Sequence, residues 1–468
     1  MAGISGPSFW LDEAATLSAA RRALPDILRM MGHIDLVHGP YYLMMRAWLL
    51  LFGDGEFAMR LPSVLATAAA AAGVAVIGRR LASAPTGMAA GLLYAGHPTA
   101  VRYAQEARSY AMVTAVAVLA TYLLVRAVDS GDRRWLAGYA SALVLLALLN
   151  LFGVLLIAAH GATLLWWRGR TGRLLTRWAI AAAVSAVAVV PWALATRRQQ
   201  WQVAWLPRPN AETLGDLGVW LAGSGPLVVV VLVLAGAGLW AAPAGPRALP
   251  LVPLAVPWLL AAPVILLLVS LAEPVFLPRY VLYCLPAVAL LMGAGLVRLV
   301  ARRAVAAIAV AALVMLSIGP HVEIRRQDSR PSDARAAAAV LAAHARPGDG
   351  LVFLHPNMRW EAAAYPAAYW GLPDLTLRRG PVRVGNIVGE EMVQPSRVRQ
   401  RLMRHHRVWV ICPPKGMPPL RRWTKVLEDT GPYRVLGAWA YKGGHISLLR
   451  REAPADLGDA RSHPGRGG

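Results

Sequence analysis

Between residues 61 and 320 one long apolar segment follows another with few charges between them, and this limits the fold more than any other feature. A run of about 18 or more apolar residues is long enough to cross a bilayer as a helix. Segments 61–78, 111–125, 178–196, 226–242, 251–272, 280–300 and 304–320 meet or approach that length. Three weaker ones lie at 85–101, 135–150 and 151–167, the last two meeting at Asn150. About ten crossings are therefore expected. A lipid-embedded backbone must satisfy its own polar groups, so the fold class is mainly α, a polytopic transmembrane helical bundle. The overall 16% of charged residues conceals a division. Residues 321–468 carry charges and prolines throughout and read as water-soluble.

The formal net charge of +23 admits nucleic acid as a partner, but the distribution of the arginines favours a membrane topology and no nucleic acid. One alternate set of loops holds Arg79, Arg80, Arg126, Arg133, Arg134 and eight more. The opposite set holds only Arg102, Arg108, Arg197, Arg198, Arg208 and Arg279. Basic residues favour cytoplasmic loops, so the first set is cytoplasmic. Ten crossings then put residues 1–60 and the C-terminal domain on the extracytoplasmic side of the cell membrane. No apolar segment or signal peptide is seen before residues 1–60, and one further helix upstream is expected. Cys284 falls in a span and Cys412 in a strand, so a disulfide between them is not expected.

Four regions are expected: an outer loop with juxtamembrane helices at 1–60, the bundle at 61–320, an extracytoplasmic α/β domain at 331–452 and a disordered tail at 453–468. In the first, 14–31 is helix-like and 40–52 is either amphipathic or shallow in the membrane. Loop 197–225, with Trp201, Trp205 and Trp220, suits a membrane surface. In the outer domain, helices at 334–345, 360–370 and 395–405 alternate with strands at 351–354, 407–411, 435–440 and 446–449. That alternation indicates a small α/β layer fold. The domain shows no glycine-rich phosphate loop and no metal-spaced cluster, which favours a scaffold or an acceptor-docking role.

Four stretches could carry chemistry. In Ser8-Phe9-Trp10-Leu11-Asp12-Glu13-Ala14 two adjacent carboxylates stand beside a tryptophan. Like charges in proximity raise one pKa and suit a proton acceptor or a metal site; an acidic helix N-terminus explains them equally well. Arg102-Tyr103-Ala104-Gln105-Glu106-Ala107-Arg108-Ser109-Tyr110 lies between two spans. Its guanidinium groups match phosphate oxygens, although Arg102 and Glu106, four apart, could also simply pair. Pro278-Arg279-Tyr280 opens a span and serves either as an interfacial anchor or as a lipid-phosphate contact. His38-Gly39-Pro40-Tyr41-Tyr42 offers a ligand or proton carrier at His38, or only a surface histidine. It is followed by Arg60-Leu61-Pro62-Ser63, where Arg60 has the alternative of merely flanking the first span.

Taken in order, these stretches together with Leu51-Phe52-Gly53 give the chain a resemblance. It resembles the GT-C class of membrane glycosyltransferases, in the branch of protein O-mannosyltransferases and aminoarabinose transferases, glycosyltransferase family 39 and its relatives. The match runs from about Phe9 to Tyr110 and resumes at Pro278. The resemblance implies a GT-C-like bundle followed by a small extracytoplasmic α/β domain. It implies inverting transfer of a sugar, with mannose one candidate, from a polyprenyl-phosphate donor to a hydroxyl of a protein, lipid or polysaccharide acceptor. Asp12 would be the general base with Glu13 beside it, and Glu106 a second acid near the donor. Arg108 and Arg279 would hold the leaving phosphate, with Arg60, Arg102, His38, Tyr103, Gln105, Tyr110 and Tyr280 as further donor contacts. Some relatives admit a divalent ion near Asp12, for which the sequence offers no strong ligand set, and no cofactor is otherwise implied. The family places a transmembrane helix before its acidic loop, and this chain shows none there.

Two other functions fit the sequence less well. A flippase for isoprenoid-linked sugars needs polar residues at mid-membrane and often internal repeats, whereas here the polar clusters lie at span ends. A non-catalytic glycan-binding envelope protein leaves the acids and arginines unexplained.

Overall fold

A computed structural model describes residues 3–167, 172–245 and 249–452. The chain forms two compact units. One comprises Met1–Ser5 and His33–Arg326, the other Gly6–Gly32 and Gln327–Gly468.

The first unit is the helical bundle of a multi-pass membrane protein. Among the described residues, six helices are long and apolar enough to span: Glu56–Leu81, Tyr110–Ser130, Gly172–Arg197, Leu251–Ala272, Pro278–Leu299 and Arg303–Ile324. Ala211–Ala222 and Gly225–Gly238, bent by 75°, make up to seven. This is fewer than the ten expected, because the three weaker runs form shorter helices. Segment 85–101 divides into Ala84–Ala95 and Pro98–Ala104. Pro98 forces His97 into an extended backbone and stops the first helix. Asn150 is extended too, and its side chain accepts a hydrogen bond from Phe152 N, separating Arg133–Leu149 from Leu151–Trp166.

Small residues bring some helix backbones into contact. A Cβ added at Gly295 would stand 1.8 Å from the carbonyl oxygen of Leu234, and one at Gly87 would stand 2.2 Å from that of Ala75. Only glycine fits at either point, as is common where helices pack without a hydrophobic driving force. A buried polar network ties four more helices together. His160 stands 3.0 Å from the Tyr139 hydroxyl and 3.1 Å from Thr121 Oγ1, and Trp178 Nε1 donates to Tyr139 at 3.1 Å.

The second unit is built on a four-stranded sheet. Its strands are β1 (Gly350–Phe353), β4 (Arg407–Cys412), β5 (Tyr433–Tyr441) and β6 (Gly444–Arg451), in the order β1-β4-β6-β5. The β1–β4 pair is parallel and the others antiparallel. The short strands β2 (Leu377–Arg379) and β3 (Glu390–Glu391) pair separately. Alternate residues of the sheet serve opposite faces. Leu351, Phe353, Trp409 and Ile411 pack with Ala337 and Leu341 of helix Ala334–His344. Val352, Val408 and Val410 pack with Leu402, Trp423 and Val426 of helices Pro395–Leu402 and Arg421–Thr430. The sequence reading had passed over the second of these helices.

Segment 6–32 is folded into this second unit rather than standing with 33–60 as one region. It forms two helices, Leu11–Ala20 and Leu24–His33, where a single one over 14–31 was expected. The Tyr365 hydroxyl accepts from Phe9 N at 2.9 Å. Arg21 Nη1 donates to the Ala363 carbonyl at 2.5 Å, and Arg22 Nη2 to that of Asn386 at 2.6 Å. The segment expected as a tail at 453–468 lies outside the described residues.

Candidate active site

The bundle gathers several of the singled-out residues around the guanidinium of Arg108. His38 closes a one-turn helix, Leu36–His38, and leads into Gly39–Phe52. Tyr42 follows one turn later on the same face. Its hydroxyl donates to Asp35 Oδ2 at 2.9 Å. Asp35 has φ of 58°, a left-handed conformation that aspartate tolerates better than most residues.

Residues 105–109 form a non-helical break between Pro98–Ala104 and Tyr110–Ser130. Ser63 Oγ fixes it by donating to the carbonyl of Glu106 at 2.7 Å and to that of Arg108 at 3.3 Å. From this break Arg108 Nη1 donates to the Tyr42 hydroxyl at 3.3 Å, and Nη2 reaches His38 Nε2 at 2.7 Å. Arginine only donates, so Nε2 accepts and the imidazole proton sits on Nδ1. That Nδ1 is buried and has no hydrogen-bond partner among the described residues.

Arg279 enters from the turn Pro278–Cys284 and lies 5.9 Å from the ring centres of both Tyr110 and Tyr280. Tyr103 meets Tyr110 edge-on at 5.6 Å and Trp220 at 6.0 Å. Gln105, Glu106 and Arg108 are buried, while Arg102 is partly exposed. Arg60 is also fully buried, and its Nη1 donates to the Ile4 carbonyl at 2.8 Å, which ties down the start of the chain.

Asp12 and Glu13 belong to the second unit, in the first turn of Leu11–Ala20. Glu13 is fully buried and Asp12 is partly exposed. Among the described residues no group of three or more His, Cys, Asp or Glu side chains is placed to hold a metal ion. Asp12 and Glu13 alone do not make up such a group.

Residues 38–194 match the family model described as dolichyl-phosphate-mannose-protein mannosyltransferase. ArnT from Cupriavidus metallidurans in the apo state shares the fold. It has 16% identity and a TM-score of 0.58, over 95% of this chain and 94% of that one. The same protein bound to undecaprenyl phosphate gives 17% identity and again 0.58, over the same shares. Over residues 38–194 the chain resembles that mannosyltransferase family, and over nearly its whole length it shares the fold of ArnT. None of the curated proteins matches it in sequence.

The electrostatics of this site centre on His38. Burial, then the charges of Arg108 and Arg279, hold its pKa well below the usual 6.5. The ring is therefore neutral at pH 7, as its acceptance from Arg108 requires. Burial and the Asp35 carboxylate push the Tyr42 hydroxyl well up, so it stays protonated. A depressed histidine means that below about pH 6.5 the unfolded chain takes up a proton that the folded chain refuses. Stability should then fall as pH drops from 7 toward 5, while His38→Gln, which cannot titrate, should flatten that part of the profile. Thermal unfolding of the detergent-solubilised protein across this range checks it; parallel profiles for the two proteins would refute it.

Sequence reading missed Asp35 altogether and left Tyr42 and Ser63 inside quoted motifs without a role. The four-residue spacing from His38 was the available signal for Tyr42. Asp35 and Ser63 act through hydrogen bonds that no local pattern announces.

Proposed function

We propose that this GT-C enzyme transfers a sugar, with inversion, from a polyprenyl-phosphate donor to an acceptor hydroxyl at the outer face of the membrane. Asp12 removes the proton of the hydroxyl, whose oxygen attacks the anomeric carbon. The bond from that carbon to the phosphate oxygen breaks, and polyprenyl phosphate departs with the electron pair. Negative charge grows on the phosphate as this happens. Fixed donors aimed at developing charge lower the barrier most where water is excluded. Arg108 and Arg279 supply those donors, and Glu106 is the second acid near the donor. Mannose is the first donor sugar to try, given the family that residues 38–194 match. The acceptor is a protein, lipid or polysaccharide hydroxyl.

One observation carries this reading above the rest: the buried Arg108 guanidinium, oriented by His38 and Tyr42, with Arg279 in the same electrostatic neighbourhood. A buried cation in an apolar bundle is costly, and an ionisable residue there reads first as functional. Neutral His38 adds no third positive charge. Its buried Nδ1 has no hydrogen-bond partner among the described residues. A phosphate oxygen would satisfy it.

The reading is tested by native mass spectrometry of the purified protein with undecaprenyl phosphate and with undecaprenol. Charge-assisted hydrogen bonds should favour the phosphate by at least about tenfold. Equal retention of the two lipids would remove the phosphate clamp from the account.

A further inference from the structure

Helix Arg303–Ile324 packs least against the rest of the bundle, with only 6% of its apolar stretch buried. Val310, Val314, Ser317, His321 and Arg325 follow one another along one side of it at helical spacing. They line a groove of about 970 Å³ whose other walls hold Met88, Leu92, Val231, Met292 and Leu296. Protein interiors are close-packed, so helices that leave this much space between them have another molecule to fill it. The groove runs along spanning helices, where the surrounding solvent is hydrocarbon rather than water.

Its length is apolar and one end is polar. Val310, Val314, Ile318 and Val322 stand exposed beside it, and His97, His321 and Arg325 lie at the end. His321 Nε2 donates to the Gly96 carbonyl at 2.9 Å, which joins helix Arg303–Ile324 to the turn after Ala84–Ala95. Arg325 Nη1 donates to the His321 carbonyl at 2.5 Å, so the guanidinium is held at the rim. Its full positive charge exceeds the roughly half negative charge of the helix end. Among the described lining residues there is no lysine and no carboxylate beside it. Glu323 is exposed and forms no part of the wall.

We propose that the groove holds one anionic phospholipid, with its phosphate at Arg325 and its acyl chains along helix Arg303–Ile324. Length and charge select this occupant. Val310 and Arg325 are fifteen residues apart, about 22 Å of helix. One leaflet with its headgroups is about 20–22 Å deep, so a single leaflet's lipid fits the groove end to end. A polyprenyl chain is far longer than a leaflet is deep, and the transfer reading gives its phosphate to Arg108. An uncharged lipid would fill the apolar length but gain nothing from the charge of Arg325. The bound lipid supplies the packing that the protein itself does not give to helix Arg303–Ile324.

The test is native mass spectrometry of the purified full-length protein in detergent with equimolar dioleoyl phosphatidylglycerol and dioleoyl phosphatidylcholine. Phosphatidylglycerol should be retained about fivefold more, the preference that one basic residue gives to an anionic headgroup. Arg325→Gln should abolish the preference and leave phosphatidylcholine retention unchanged. Ser317→Trp, which fills the groove midway, should lower retention of both lipids. Circular dichroism confirms the helix content of each variant. Undecaprenyl phosphate added to the wild type should leave phosphatidylglycerol bound. Equal retention of the two lipids by wild type, an unchanged preference in Arg325→Gln, unchanged retention in Ser317→Trp, or displacement by undecaprenyl phosphate would each overturn the proposal. None of these results would remove the phosphate clamp at Arg108, which is tested by undecaprenyl phosphate against undecaprenol.

Discussion

Replacing Arg108 with methionine is expected to lower turnover about 10²- to 10³-fold, the usual loss when one aimed donor is removed from developing charge. The guanidinium spans two fixed partners, His38 Nε2 at 2.7 Å and the Tyr42 hydroxyl at 3.3 Å. These hold it in one orientation before any donor arrives, so little reorganisation is needed as charge builds on the phosphate. Lysine should not restore activity. An ammonium is a point charge without the planar fork that reaches both partners and still presents N–H groups. The loss should appear mainly in kcat, because the interaction strengthens as the leaving group gains charge. Steady-state kinetics at saturating donor check this, with thermal unfolding to confirm the fold. Turnover within tenfold of wild type would show that Arg108 is structural.

Asp12→Asn should cost about 10²–10⁴ in transfer, the range for a general base. Asparagine keeps the size of the side chain and tolerates the first turn of Leu11–Ala20, so abundance and melting temperature should stay close to wild type. Binding of undecaprenyl phosphate should also be unchanged, since the clamp belongs to a different unit of the chain. Lost transfer with intact lipid binding would assign the base to Asp12. Unchanged transfer would move that role to another acid, Glu106 first.

Much of this was legible in the sequence because membranes simplify the problem. Long apolar runs announced a bundle, and the order of short motifs pointed to the fold it shares with ArnT. Arg108 and Arg279 are 171 residues apart in sequence, yet the motif order paired them before any geometry was known. What failed to show was set partly by local breaks and partly by tertiary contact. Pro98 and Asn150 shortened runs that composition alone had counted as spans. Segment 6–32 joins the C-terminal unit through Phe9, Arg21 and Arg22, whose partners lie more than 300 residues away. No periodicity signals such a union. His38 looked like either a ligand or an idle surface residue, and only its contact with Arg108 fixes its tautomer. The groove along 310–325 was invisible for the same reason, because its other walls come from 85–98, 222–231 and 292–296.

The most direct measurement of the central claim is sugar transfer itself. Membranes containing the protein would be incubated with radiolabelled polyprenyl-phosphate mannose and a crude envelope acceptor fraction, beside membranes containing Asp12→Asn, with other polyprenyl-phosphate sugars run in parallel. The account predicts acceptor-bound label from at least one donor with wild type and at least a hundredfold less with the variant. Absence of transfer by wild type from every such donor, in membranes where it binds undecaprenyl phosphate, would contradict it.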